Sequence, residues 1–307
     1  MGLIRRTRIK LPIITIIAAV WLIIIFSITL FSNQLTPMSY TRTHMEFRLQ
    51  APVGMGGSAP FLFGTDQLGR DILSRLIRSI RTSLMVAFFG SGITLVLGTT
   101  LGVLAAHFKG WVDEAISVLI DFYYAIPFMV FALMIIAFFG NNMTLFVILL
   151  GIQGWMRYAR VTRAMCLSAQ EHGYAVAGRA LGMHPFRLYT RHILPNMANV
   201  IIVMLTLNFP QKILIETSLS FLGLGVQPPE ASLGSMLSGG RNYLLVAPWM
   251  ALIPGITIFL TTLCMSIIGD WLQDRLDTTT RLQIRKRPKK KPIEMNNGEA
   301  QVEMPQK

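Results

Sequence analysis

The sequence predicts an all-α integral membrane protein whose chain crosses the bilayer six times. Only 14% of the 307 residues are charged, whereas a soluble domain carries about 25%. The mean hydropathy of +0.53 agrees with this shortage of charge. A membrane-spanning helix needs about 20 predominantly apolar residues, and the chain offers six stretches near that length: 11–32, 83–105, 116–139, 143–161, 197–219 and 247–271.

The first span, residues 11–32, contains no charged residue and follows a basic segment at 1–10. A secretory signal peptide also begins with basic residues, but its apolar core is only about 7–15 residues long and ends at a small-residue cleavage site. The longer apolar run here predicts a retained anchor helix, with residues 1–10 in the cytoplasm. Residues 33–82 are then expected to form an extracytoplasmic segment.

Spans two and three each carry residues with a specific structural meaning. In span two, Gly98 and Gly102 are four residues apart, a spacing that lets a neighbouring helix approach closely. Packing within the chain is favoured over dimerisation. In span three, Pro127 is expected to kink the helix because proline removes a backbone hydrogen bond. The short turn at 140–142 then leads directly into span four.

Basic residues orient the predicted bundle, because cytoplasmic loops of membrane proteins carry an excess of Lys and Arg. The loop after span four and the tail at 273–307 are both strongly basic, which places both termini in the cytoplasm. The tail is expected to be disordered and to meet anionic lipid rather than nucleic acid. One segment disagrees with this topology, since it places four arginines outside: Arg70, Arg75, Arg78 and Arg81.

The sequence GTDQLGRD at 64–71 precedes span two. Its glycines and aspartates predict a tight turn in which Asp66 or Asp71 caps a helix beginning at Ile72. The alternative is a contact with a partner on the outer face.

A polar and basic stretch, GYAVAGRALGMHPFRLYTRHILPN at 173–196, separates spans four and five. Gly182 is a helix-ending signal, and Pro185 suits the first turn of a second helix. Two short helices joined by a sharp turn exceed what a connecting loop needs, so we expect a docking element for a cytoplasmic partner. A DNA-binding helix-turn-helix is disfavoured by the position between two spans. One helix face carries the i, i+3, i+4, i+7 pattern: Tyr174, Ala177, Gly178 and Leu181.

The same stretch resembles the loop with the EAA motif in permeases of ATP-binding cassette importers. Gly182 matches the motif glycine, His192 the motif isoleucine and Pro195 the motif proline. The motif glutamate is missing, and its second alanine is a glycine, because the three E-A-A positions hold Val176, Ala177 and Gly178. Residues 63–84 and 219–277 resemble the peptide and nickel branch of the same family.

The resemblance implies a type I importer permease in the inner membrane, which forms half of a translocation path for peptides. Nickel or another small solute is the alternative. The implied partners are a second homologous permease in a heterodimer, two cytoplasmic ATP-binding subunits and an extracytoplasmic solute-binding protein. The five-helix core would span 83–272, with a coupling loop at 164–196. Eight residues would contact an ATPase groove: Tyr174, Ala177, Gly178, Arg179, Leu181, Gly182, His192 and Pro195.

No catalytic residue, cofactor or metal is expected in this chain. It lacks the phosphate-binding pattern GxxxxGK[ST], so ATP hydrolysis is assigned to the partner subunits. The HExxH and GxSxG motifs are also missing from the sequence, which argues against a membrane-embedded enzyme. The two cysteines, without a CxxC pattern, predict neither a disulfide framework nor a zinc site.

Span five contains a polar stripe that is our candidate for the translocation path. Asn208, Lys212 and Glu216 are four residues apart and therefore share one helix face. A charged side chain within a span usually faces the bundle interior or water. The stripe either lines or gates the path, or Lys212 and Glu216 simply pair with each other near the outer boundary.

Overall fold

The computed structural model describes residues 12–57 and 59–276, which belong to one compact unit. The predicted segment at 1–10 and the predicted tail beyond residue 276 lie outside the described residues. Within the described part, twelve α-helices follow one another: α1 Ile13–Leu30, α2 Ser32–Leu35, α3 Ile72–Phe108, α4 Gly110–Ala125, α5 Phe128–Phe139, α6 Met143–Ile152, α7 Trp155–Gln170, α8 Gly173–Ala180, α9 Pro185–Leu188, α10 Leu194–Phe221, α11 Leu233–Gly240 and α12 Trp249–Leu276.

Four helical runs in the described residues are long and apolar enough to cross a membrane: α1, α3, the continuous run Pro185–Phe221 and α12. A fifth span exists if α4 and α5 count as one helix bent by 90°. The bend lies at Pro127, the residue before α5, so the expected kink is confirmed. The count of six is not confirmed.

The predicted fourth span, 143–161, is wrong as a single helix. α6 ends at Ile152, and α7 begins at Trp155. The break holds Gly154 at a φ of 88°, a left-handed conformation that favours glycine. An apolar run reports composition but not backbone conformation, and therefore could not reveal this break.

The glycine pair of span two packs within the chain, as expected. Both glycines are buried where α3 meets α7. A Cβ atom on Gly98 would lie 2.5 Å from the Cβ of Tyr158, and one on Gly102 would lie 2.5 Å from the carbonyl oxygen of Ala159. The two helix backbones thus approach at a distance that only glycine allows.

Helix α3 begins well before the predicted span. Asp71 is its N-cap, and the carboxylate accepts a hydrogen bond from the backbone N–H of Ser74 at 2.8 Å. Asp66 closes the preceding turn by accepting from the N–H groups of Leu68 at 2.8 Å and Arg70 at 3.0 Å. The turn and cap predicted from GTDQLGRD are therefore present, and three of the four unexplained arginines lie on the helix.

Candidate functional site

The loop at 173–196 contains one short helix and the start of a long one. α8 ends at Ala180. Beyond it, the N–H of Gly182 donates to the carbonyl of Arg179 and the N–H of Met183 donates to the carbonyl of Gly178, both at 3.0 Å. This pair of bonds is a Schellman motif, and Gly182 takes the left-handed position at a φ of 74°. The helix-ending role predicted for Gly182 is confirmed.

The second helix of the loop is not a separate element. Pro185 occupies its first turn, as expected, but the helix continues through the π-helical turn Tyr189–Ile193 into α10. The run Pro185–Phe221 is therefore one helix of 37 residues. The exposed Pro195 lies inside this continuous helix, just after the π-helical turn Tyr189–Ile193, and its missing N–H removes one backbone hydrogen bond there. The part of the loop from Pro185 onward and the predicted fifth span are therefore parts of the same helix.

The side of this loop that faces the other helices is firmly packed. Ala175, Leu188 and Ile193 are buried in a cluster that also contains Ala106 of α3 and Cys166 of α7. Gln170 ties the same elements together, since its amide donates to the carbonyl of Ala106 at 3.1 Å and to the Tyr189 hydroxyl at 2.9 Å. The loop thus rests on the ends of two long helices.

The opposite side of the loop, which faces away from the other helices, exposes large apolar side chains. Leu181 is 86% exposed and Phe186 is 72% exposed. Val176, which stands where the family motif has its glutamate, is 50% exposed. We call these three residues the apolar loop surface. The pattern analysis missed Phe186, although an apolar residue between Pro185 and Arg187 was its signal.

The other predicted loop residues divide between exposed and internal positions. Gly178 is buried against Met183 and Leu188, while the remaining members of the predicted face are exposed: Tyr174, Ala177 and Leu181. Arg179 donates to the carbonyl of Gln170. His192 is half-buried in the π-helical turn. Their role in contacting an ATPase stays a prediction.

The polar stripe of α10 is internal and does not form one cluster. The ammonium of Lys212 donates to the carbonyls of Leu150 and Gln153, at the break between α6 and α7. Glu216 is fully buried and accepts from the hydroxyls of Ser83 at 3.0 Å and Ser220 at 2.7 Å. Within residues 12–57 and 59–276, no ion pair joins Lys212 to Glu216.

Asn208 makes weaker polar contacts than the two charged members of the stripe. Its amide donates to the Tyr158 hydroxyl at 3.4 Å and to the Met204 carbonyl at 2.7 Å. The role of the stripe in a translocation path stays a prediction.

In the described part of the chain, no group of three His, Cys, Asp or Glu side chains is placed to hold a metal ion. Burial raises the pKa of the Cys166 thiol to about 11, so this thiol stays protonated at neutral pH. Arg163 donates two hydrogen bonds to the carboxylate of Asp113, which join α7 to the start of α4 and raise the pKa of the guanidinium.

Comparison with known proteins places these features in a family. Residues 98–281 match the sequence profile described as "Binding-protein-dependent transport system inner membrane component". The chain is 40% identical to the dipeptide transport system permease protein DppC of Alkalihalophilus pseudofirmus over 85% of each chain. It is 33% identical to the glutathione transport system permease protein GsiD of Pectobacterium atrosepticum over 86% of each chain. Identity to the oligopeptide transport system permease protein OppC of Escherichia coli is 34% over 85% of each chain.

Two solved transporters share the fold. An inward-facing MetNI methionine ABC transporter superposes with a TM-score of 0.52 at 16% identity, covering 66% of this chain and 95% of that one. An amino acid ABC transporter with histidines gives a TM-score of 0.50 at 19% identity, covering 66% of this chain and 94% of the other. At these identities the likeness supports the architecture alone.

Proposed function

The chain belongs to the family of binding-protein-dependent transport system inner membrane components, and we propose that it imports peptides as one of two homologous permeases in an ATP-binding cassette transporter. Family membership makes it a multi-pass membrane permease and not an enzyme, because ATP hydrolysis resides in separate subunits. The family works with ATPase and binding-protein partners. The proposed assembly contains the two permeases, two cytoplasmic ATP-binding subunits and an external solute-binding protein.

The peptide substrate is supported by relatives named for dipeptide, oligopeptide and glutathione transport, all of which are peptides. The test is ATP hydrolysis by the purified, reconstituted importer with its binding protein. A dipeptide or a short oligopeptide is expected to stimulate hydrolysis, and Ni²⁺ is not. Stimulation by Ni²⁺ without a response to any peptide would replace the peptide assignment with the nickel alternative.

The observation that carries the proposed coupling role is the apolar loop surface, mounted on a helix continuous with α10. Burying a large apolar side chain stabilises an interface by about 1.5–3 kcal/mol. Leu181 and Phe186, at 86% and 72% exposure, have most of this free energy still to gain. An ATPase groove that covers them would move the run Pro185–Phe221 as a rigid lever.

We expect Leu181→Glu to weaken the association with the ATP-binding subunits, because a carboxylate cannot be buried in an apolar groove without a large desolvation cost. The measurement is co-purification of the ATPase subunits with the permease in mild detergent, together with peptide-stimulated hydrolysis. The matched control is Leu245→Glu, the same substitution at a leucine that is 100% exposed elsewhere in the chain. Equal ATPase retention in both variants would contradict the docking role.

We propose that the translocation path passes beside α10. The polar stripe of α10 would then keep the neighbouring helices in place around the path. Lys212 fixes the break between α6 and α7, while Ser83 links Glu216 to the backbone N–H of Leu233 at the start of α11. Three helices around the path are therefore tied to one face of α10. These hydrogen bonds support the proposal that the polar stripe determines the shape of the path.

A further inference from the structure

The start of α3 and the turn before it carry four arginines that the predicted topology does not explain. Two of them have side-chain partners outside the turn, an acidic one for Arg78 and neutral ones for Arg81. Arg78 pairs with Glu230 at 3.3 Å, and Arg81 donates to the side-chain oxygens of Ser32 at 3.2 Å and Asn33 at 3.0 Å. The remaining two, Arg70 and Arg75, are different.

Arg70 and Arg75 share one carboxylate. The Nε of Arg70 lies 2.7 Å from Oδ2 of Asp66, and the Nε of Arg75 lies 3.5 Å from the same oxygen. The other oxygen of Asp66 is already occupied by the backbone N–H groups of Leu68 and Arg70. Other N–H donors already take three of the roughly four acceptor positions of this carboxylate, so Arg75 is left with one long contact.

Burial of Arg75 destabilises this arrangement, because the charge is removed from water without a close partner. The side chain of Arg75 is only 12% exposed, and among the described residues its contact with Asp66 is its one ion pair. A guanidinium has five N–H donors and does not lose its charge. A buried charge of this kind is costly unless it is paired and hydrogen-bonded. The guanidinium of Arg75 therefore has N–H donors left to bind a further anion.

A cavity of about 170 Å³ lies beside these groups. A water molecule occupies about 30 Å³ of liquid, so the space accepts a carboxyl group together with a short stem. Its remaining walls are largely apolar and include Pro228, Pro229 and Met250. The polar lining consists of Asp66, Gln67, Arg70, Arg75, Glu230 and Ser235.

We propose that this cavity binds a carboxylate group, with Arg75 as its main ligand and Arg70 as the second. The planar guanidinium matches a carboxylate in a bidentate geometry, which is the strongest form of this contact. Glu230 does not fill the role because Arg78 holds it. The carboxylate comes from the C-terminus of a peptide or from an acidic side chain of an external protein. This choice of source rests on the proposed function, but the carboxylate site does not.

The site is tested on the purified full-length chain with N-acetylglycine as the carboxylate and N-acetylglycinamide as its neutral match. N-acetylglycine is expected to raise the unfolding temperature, and the amide is not. Arg75→Gln should weaken the apparent affinity by about tenfold to a hundredfold, since it removes a charge-assisted hydrogen bond. Arg81→Gln, at an arginine that bonds to Ser32 and Asn33 and does not line the cavity, should keep the response.

Two results would overturn the proposal: an equal response to the acid and the amide, or a full response in Arg75→Gln. If Arg75→Gln does not fold, Arg75→Lys decides. This variant keeps the positive charge but loses the planar pair of N–H donors. N-acetylglycine should therefore still raise its unfolding temperature, but with reduced affinity. An affinity equal to that of the wild type would count against a bidentate site.

The reconstituted importer then distinguishes the two sources. If the ligand is a peptide C-terminus, a free dipeptide stimulates ATP hydrolysis more than its C-terminal amide, and Arg75→Gln abolishes this difference. If the ligand is an acidic side chain of the binding protein, both peptides act equally and Arg75→Glu weakens docking of that protein. A site that binds N-acetylglycine in an importer that ignores peptides would reject the proposed function and leave the carboxylate site standing.

Discussion

Lys212 shows how one residue can hold a helix break together. The last carbonyls of a helix have no partner within it. At the end of α6, Lys212 supplies donors to the carbonyls of Leu150 and Gln153. The hydroxyl of Thr94 donates to the carbonyl of Gly151 at 2.7 Å. Side chains of other helices therefore bond three carbonyls at the break, those of Leu150, Gly151 and Gln153.

We expect Lys212→Met to destabilise the protein, because it leaves these carbonyls buried without donors. Each buried polar group without a partner costs about 1–3 kcal/mol. The measurement is the unfolding temperature of the detergent-solubilised protein, which should fall. Lys109→Met is the matched control, since Lys109 is exposed, and this variant should unfold at the temperature of the wild type. Equal stability of the two variants would show that Lys212 does not support the break.

The stripe also shows what a sequence can and cannot predict at this scale. The spacing of Asn208, Lys212 and Glu216 correctly predicts that they share a face and that the charged members are internal. It cannot predict the partners that are far away in the sequence, which belong to α3 and to the break between α6 and α7. Pairing of Lys212 with Glu216 is the simplest local expectation, but Lys212 bonds to distant carbonyls, and Glu216 bonds to the distant Ser83 and the nearby Ser220.

At the scale of elements, local signals were reliable and apolar runs were not. Pro127, Gly182 and Pro185 act on the backbone of their own segment, so their kink, helix end and first turn follow from residue type. The break at Gly154 interrupts an apolar run without changing its hydropathy. The continuity of the helix from Pro185 into α10 is not visible in the hydropathy, because polar residues lie between them. Hydropathy measures the solvent that a segment prefers, and backbone geometry needs separate signals.

The close packing of α3 and α7 can be tested at Gly102. We expect Gly102→Val to force the helices apart, because its Cβ alone would lie 2.5 Å from the carbonyl oxygen of Ala159. Overpacking of this kind costs about 1–3 kcal/mol. Gly92→Val on the same helix is the control, since no atom lies within 4 Å of a Cβ at Gly92. The measurement is the unfolding temperature, and a loss confined to Gly102→Val is the expected outcome.

At the scale of the whole molecule, one spatial assignment joins the two proposals. The apolar loop surface must face the cytoplasm to meet an ATPase, and the cavity of Arg70 and Arg75 must face outward to meet a peptide or a binding protein. The four arginines contradict the positive-inside rule in this orientation, yet two of them have ordinary partners and two line the cavity. In the proposed orientation, carboxylate binding would explain the positive charge of Arg70 and Arg75 on the outer face.

This orientation is tested with single cysteines. The two native thiols, Cys166 and Cys264, are buried and should react slowly with a membrane-impermeant maleimide. Leu245→Cys replaces a fully exposed side chain between α11 and α12 and is expected to react in intact cells. Leu181→Cys, at an 86% exposed position in the loop, should react only after the membrane is opened. The reverse pattern would place the loop outside and the arginine cavity inside, so ATPase coupling and carboxylate capture would both lose their physical basis.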